Sequence, residues 1–241
     1  MMKIASIAEL DLQVLELAGG GDLAAVEEAI ALWAEYFPEY AELAVNVQEL
    51  RLAAQGQAVV PDLRPHFWLV RVAGQPVGMS FFLFNPQRAM GMLLFFALHP
   101  TVRRLAPPGF ERLSDFLIAQ MIAQVQEEAG PSALGLALEV DSPALAARYQ
   151  HMGLRLFHLT YGEPIGGQTA TMLSGTMLDD TQFHPLFLGL FPLPAARTQP
   201  LSEVTRQVVL AFLSDYYGLP SDHPVLRQAL QTIAEGETWT T

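Results

Sequence analysis

Between Leu138 and Leu154 the chain passes from strand chemistry to helix chemistry and back, and no other stretch constrains the fold as strongly. Leu138-Glu139-Val140 ends an apolar run that starts at Ala133. Ser142-Pro143 then opens a helix, with serine as N-cap and proline at the first helical position. Gly153 closes that helix, and an apolar run resumes at Leu154. A strand, a capped helix and a further strand at this spacing call for a sheet with a helix laid on its face.

The rest of the chain reads in the same terms. Alternation over 12–17 predicts a short first strand, ended by Gly19-Gly20-Gly21. Asp22 is a candidate N-cap for a helix carrying Ala25, Ile30, Trp33 and Phe37 at near-helical spacing until Pro38, and a second helix runs through Leu50. Residues 67–84 predict a hairpin turning at Ala73-Gly74-Gln75, its second strand apolar enough to be central. Residues 91–98 predict a buried strand cut off by His99-Pro100, and Pro107-Pro108-Gly109 introduces a long helix through Glu128. Residues 154–161 and 169–178 are expected as a closing strand pair. Beyond Asp180 prolines punctuate an apolar segment, and two amphipathic helices follow. Ser202 is expected to cap the first, which presents Val204, Val208, Phe212 and Tyr216; Ser221-Asp222-His223-Pro224 starts the second. The expected fold class is α/β (α+β), a mixed, mostly antiparallel sheet flanked by helices.

Composition narrows the function. Hydrophobic residues make up 51% and charged residues 16%, too apolar for disorder, yet no apolar run is long enough for a membrane span. Glu9 and Asp11 interrupt the N-terminal segment before a signal-peptide core develops, so the expected location is cytoplasmic and no membrane partner is expected. The absence of cysteine excludes disulfides, thiolate metal sites and a cysteine nucleophile. Six scattered histidines give no metal-site spacing, and no metal is expected. A formal net charge of −12 opposes nucleic-acid binding and favours a cationic small substrate. Arg103 and Arg104, with Arg112 a little later, locally reverse that charge. They read either as an anion site or as a solvated turn.

Several of these pieces resemble the GNAT superfamily of acyl-CoA-dependent N-acyltransferases over about 12–178. Pro76-Val77-Gly78 resembles the family's apolar pair and glycine on the second hairpin strand, and His99-Pro100 sits where the family often has such a pair after its fourth strand. Leu138 to Leu154 resembles its fifth strand, capped helix and Leu-Tyr-Glu-Lys-Leu-Gly-Phe closure. The resemblance implies a GNAT-like domain at 1–178 with a helical extension at 179–241. It implies acetyl-CoA or another acyl-CoA as co-substrate and a small-molecule or peptide amine as acceptor. On the matching position, Tyr149 would protonate the leaving CoA sulfur; Glu139, alternating with Leu138 and Val140 on its strand, would point toward the acceptor and act as base directly or through water. The backbone of Phe96, Ala97 and Leu98 would hold pantetheine. Arg103, Arg104, Gly109, Phe110, Arg112 and Ser142 fall where the diphosphate and its surroundings are bound. Trp33, Tyr36, Phe37 and Tyr40 fall where the family's first helices border the acceptor.

One element departs from the family. Its phosphate loop, Arg/Gln-x-x-Gly-x-Gly/Ala, is replaced by Arg103-Arg104-Leu105-Ala106-Pro107-Pro108-Gly109-Phe110-Glu111-Arg112, with two prolines that remove donors and a single glycine. Losing two charge-assisted hydrogen bonds to phosphate costs roughly 3 to 6 kcal/mol. Side chains of the arginines are the available replacement. Alternatives stand beside each role: Tyr149 as a helix residue with its ring in the core, Glu139 as surface decoration, Ser142 as a helix cap, and the aromatic stripe as helix packing. The whole chain reads either as an active acyltransferase or as a catalytically silent ligand-binding or scaffold module. The apolar part of the extension reads as packing on the sheet or as a homodimer contact.

Overall fold

The computed structural model describes residues 2–38, 44–164, 183–234 and 237–239. The architecture is α/β, with mostly antiparallel strands flanked by helices. Two compact units are present: Met1–Phe84 with Leu93–Gln124, and Asn85–Met92 with Val125–Thr241.

In the first unit the strands run in the order β1 (Met2–Ile7), β2 (Leu12–Glu16), β3 (Arg64–Val72), β4 (Gln75–Asn85), then the later part of β5 (Met90–Leu98). Strand β1 was not expected from the sequence, and it is an edge strand with no fully buried residue, so it lacks the apolar alternation that marks a strand. The β3–β4 hairpin turns on Ala73 and Gly74, whose φ angles of 50° and 72° are those of a two-residue turn with both central residues left-handed. Central β4 is buried from Val77 onward. Gly78 allows β5 to come close: a Cβ there would stand 2.7 Å from the Ala97 carbonyl oxygen and 2.5 Å from Leu98 Cδ2. Helices α1 (Leu23–Tyr36) and α2 (Ala44–Ala54) and the first part of α3 (Leu113–Ala129) complete this unit. Asp22 stands at the N-cap of α1 but makes no side-chain cap bond.

In the second unit the order is β6 (Gly135–Val140), β10 (Phe187–Pro192), β7 (Arg155–Leu156), all antiparallel. Residues 187–192, within the extension expected to begin at 179, thus contribute a strand between β6 and β7. Phe187 pairs with Val140 and Pro192 with Gly135 along the whole of β6, and the apolar segment packs in the sheet. The partner expected for the strand after Leu154, 169–178, lies outside the described residues; β7 pairs with β10. Helix α4 (Pro143–His151) connects β6 to β7, and β8 (Gly162–Pro164) pairs with β9 (Phe183–Pro185). After β10 come α5 (Pro194–Arg197) and α6 (Leu201–Leu210). The latter passes into a π-helical turn, Ala211–Tyr216, before α7 (Pro224–Gln231). Val204, Val208, Phe212 and Tyr216 are buried, as their spacing predicts. Ser202 is not the cap of α6, because Pro200 starts that helix and brings Ser202 into its first turn.

Candidate functional site

Strand β6 is buried at every position except Glu139, which is half-buried. Its carboxylate is held by two phenols. Oε1 accepts from the Tyr161 hydroxyl, and Oε2 accepts from the Tyr217 hydroxyl at 2.8 Å. The Tyr217 hydroxyl also lies 3.2 Å from Oε2 of Glu163 on β8. Burial pushes the Glu139 carboxyl up to about 8; the neighbouring Glu163 adds to this, and the two tyrosine hydrogen bonds oppose it. Both phenols are raised well above their ordinary value, first by burial and then by Glu139, so they remain donors at working pH.

Helix α4 carries the other two residues expected in this region. Ser142 Oγ accepts from the Leu145 N–H at 3.2 Å, the helix-cap reading of that serine. Tyr149 is buried with its ring edge-on to Phe191, centroids 6.1 Å apart. Burial raises its hydroxyl to about 12, which keeps it protonated at neutral pH.

The remaining predicted residues belong to the first unit. On β5, Ala97 and Leu98 are buried and Phe96 is half-buried. The Leu98 carbonyl accepts from Arg103 Nε at 3.1 Å, so this guanidinium folds back on the strand it follows. The Phe110 N–H donates to the Pro107 carbonyl at 2.9 Å, closing a turn in which Gly109 takes φ 82°. That is the i+2 position of a type II turn, a conformation that itself calls for glycine. Phe110 packs edge-on against Phe116, and α3 starts at Leu113 with Asp115 in its first turn, where a carboxylate opposes a bound anion. Arg104 and Arg112 are exposed. In α1, Trp33 is buried and meets Phe95 of β5 edge-on at 5.6 Å; Phe37 meets the same ring at 5.2 Å. Burial and the adjacent Glu35 raise the half-buried Tyr36 hydroxyl. Tyr40 lies outside the described residues.

Sequence reasoning found Glu139 but not the groups around it. Tyr161 ends a segment read as plain strand, Glu163 lies in the stretch between the two expected strands, and Tyr217 is 78 residues from Glu139 with no local signal to join them. It also missed Glu49, a buried carboxyl on α2 raised to about 8 by desolvation, whose Oε1 has no hydrogen-bond partner. Here a signal existed: Glu49 shares the inward stripe of α2 with Leu50 and, one turn on, Ala53.

No family model matches the chain, and no curated protein matches it. Solved structures do. A Bacteroides thetaiotaomicron protein assigned to the GNAT acetyltransferases superposes with a TM-score of 0.51 at 18% identity, covering 86% of this chain and 99% of the other. A tandem GNAT protein from the clavulanic acid biosynthesis pathway matches at TM-score 0.45 and 21% identity, over 63% of this chain and 46% of that one. A Bacillus subtilis acetyltransferase in complex with CoA matches at 0.42 and 13%, over 76% and 99%. The assignment rests on the first of these: the chain has the fold of the GNAT superfamily. It spans less than half the length of the tandem protein. Among the described residues no helix is long and apolar enough to cross a membrane, and no group of three His, Cys, Asp or Glu is placed to hold a metal ion.

Proposed function

We propose that this protein transfers an acyl group from an acyl-CoA, acetyl-CoA in the simplest case, to the primary amine of a small molecule or peptide. The amine nitrogen attacks the thioester carbonyl carbon, an ammonium proton passes to Glu139, and the leaving thiolate takes a proton from Tyr149. The observation that carries this reading is the Glu139 carboxyl, held by two phenols on the strand that leads into the Tyr149 helix. A carboxyl raised to about 8 suits a general base acting near neutral pH better than an ordinary glutamate would. The exposed Arg104 and Arg112 flank the turn and are the cations that would take phosphates of the co-substrate; the net charge of −12 favours a cationic acceptor.

Acetyl transfer to a panel of amines, followed by release of free thiol, tests this. Glu139→Gln should lower kcat/KM by about a hundredfold or more, and the wild-type rate should climb with pH toward 8. Tyr149→Phe should lower kcat with little change in acyl-CoA affinity. Unchanged rates in both variants would remove these residues from the mechanism.

A second reading, a silent ligand-binding module, is favoured by the loop before α3. There Gly109 serves a tight turn, Arg103 is engaged by Leu98, and Asp115 occupies the first helical turn. Calorimetric titration with acetyl-CoA and with CoA separates the two. Micromolar binding supports acyl transfer, and no binding of either favours the silent module.

A further inference from the structure

The Glu139 carboxylate does not meet its partners by local chain geometry, and the most distant of them is delivered by a dedicated piece of structure. After α6 the helix widens into the π-helical turn Ala211–Tyr216, and Tyr217 follows at its end, donating its backbone N–H to the Phe212 carbonyl at 2.8 Å. Turns of this type are rare and concentrate at functional sites. This one is pinned from outside. Asp215 accepts from Asn85 Nδ2 at 2.8 Å and from Arg88 Nη2 at 3.0 Å, and the Arg88 Nε also reaches it. Arg88 continues to Gln207 Oε1 at 2.6 Å, one turn before the π-helical segment begins.

The single hydroxyl proton of Tyr217 defines what the cluster can do. Its oxygen stands 2.8 Å from Glu139 Oε2 and 3.2 Å from Glu163 Oε2, but a phenol donates only one hydrogen bond. When Tyr217 donates to Glu139, a protonated Glu163 is placed to donate to the phenol oxygen. When Glu139 carries the proton the arrangement reverses, and Tyr217 donates to Glu163. The geometry thus allows the two carboxyls to share one proton through one phenol. Tyr161 donates to the other oxygen of Glu139 in either state.

We propose that Tyr217 is a positioning residue that fixes the Glu139 carboxylate and relays its proton to Glu163. In the relay the Glu139 proton moves to the phenol oxygen as the phenol proton moves to Glu163. Glu139 is returned to its basic form, Glu163 is protonated, and Tyr217 is unchanged. The catalytic consequence rests on the acyl-transfer reading; the linked protonation of the two carboxyls does not. Among the described residues, the groups facing Glu139 are Tyr161, Glu163 and Tyr217, with Tyr216 beside Tyr217 and His184 opposite Glu163 on β9.

The test is an infrared pH titration of the full-length protein, following the carboxylic-acid carbonyl band that Glu139→Gln removes. Tyr217→Phe keeps the ring and removes the linking hydroxyl. Losing a donor to the charged form should move the Glu139 midpoint upward by about one pH unit. Glu163→Gln keeps a polar group and removes the like charge, and should move the same midpoint downward. Circular dichroism checks that each variant is folded, and the second variant decides if the first does not fold. Midpoints unmoved in the folded variants would overturn the proposal, even if acyl transfer is found. Midpoints that move as stated support it, even if no amine is acylated, in which case the acyl-transfer reading is what fails. Where activity is present, Tyr217→Phe should lower kcat about tenfold or more and shift the pH profile with KM for acyl-CoA unchanged.

Discussion

Replacing Asp215 by alanine removes the acceptor on which the π-helical turn is held. The wild-type carboxylate takes two guanidinium donors from Arg88 and the side-chain amide of buried Asn85. Breaking a fully buried ion pair from one side costs about 3–5 kcal/mol. Here the side chains of Arg88 and Asp215 are 16% and 20% exposed, and Arg88 keeps Gln207, so water and the amide recover part of that loss. About 1–2 kcal/mol is the appropriate share for the pair. The stranded Asn85 amide adds about 1 kcal/mol. The sum, about 2–3 kcal/mol, corresponds to a fall in Tm of about 4–12 °C for a chain of this length. Urea unfolding at pH 7, read by tryptophan fluorescence and by circular dichroism, measures it. A cycle with Arg88→Ala isolates the pair, and its coupling energy should exceed about 1 kcal/mol. A loss below about 1 kcal/mol, or additive single variants, would refute the claim that this contact pins the turn.

Three further predictions follow from buried groups elsewhere. Glu49 is raised from 4.5 to about 8, so the folded state holds a proton that the unfolded state releases, and its contribution falls as pH rises between those values. Glu49→Gln should therefore raise Tm at pH 8, by up to about 4 kcal/mol of stability, and change it little at pH 4.5; equal effects at both pH values would contradict the assignment. Glu16 accepts from the backbone N–H of Ala18 and Phe67 and from the Trp68 indole, and faces His66 Nδ1 at 2.9 Å. Glu16→Leu strands those donors and should cost about 3 kcal/mol or more in urea unfolding, whereas a loss under 1 kcal/mol would mean the strands rearrange around it. Gly78→Ala drives a methyl against the Ala97 carbonyl and should cost about 1–3 kcal/mol by the same assay, with a neutral result showing that β5 can move away.

Features governed by neighbours along the chain were legible in the residues alone. Gly74 between two apolar runs marks a tight hairpin because glycine takes positive φ without a Cβ penalty, and Ser142-Pro143 starts α4 because cap and fixed φ act within one turn. The spacing of Val204, Val208, Phe212 and Tyr216 marks the buried face of the last long helix, and Glu139 stands out on β6 as a charge in an apolar run. Tertiary structure alone decided that Phe187–Pro192 enters the sheet between β6 and β7. Flanking prolines give that segment the look of a linker, and its strand state comes from the paired backbone of β6, not from its own preferences. It also decided the candidate site. Glu139, Glu163 and Tyr217 carry no pattern that relates them, and Asp215 meets Asn85 from 130 residues away. Side-chain hydrogen bonds of this reach form only after packing has brought their backbones together, because isolated in water each group is already satisfied and the net gain per bond is only about 1 kcal/mol.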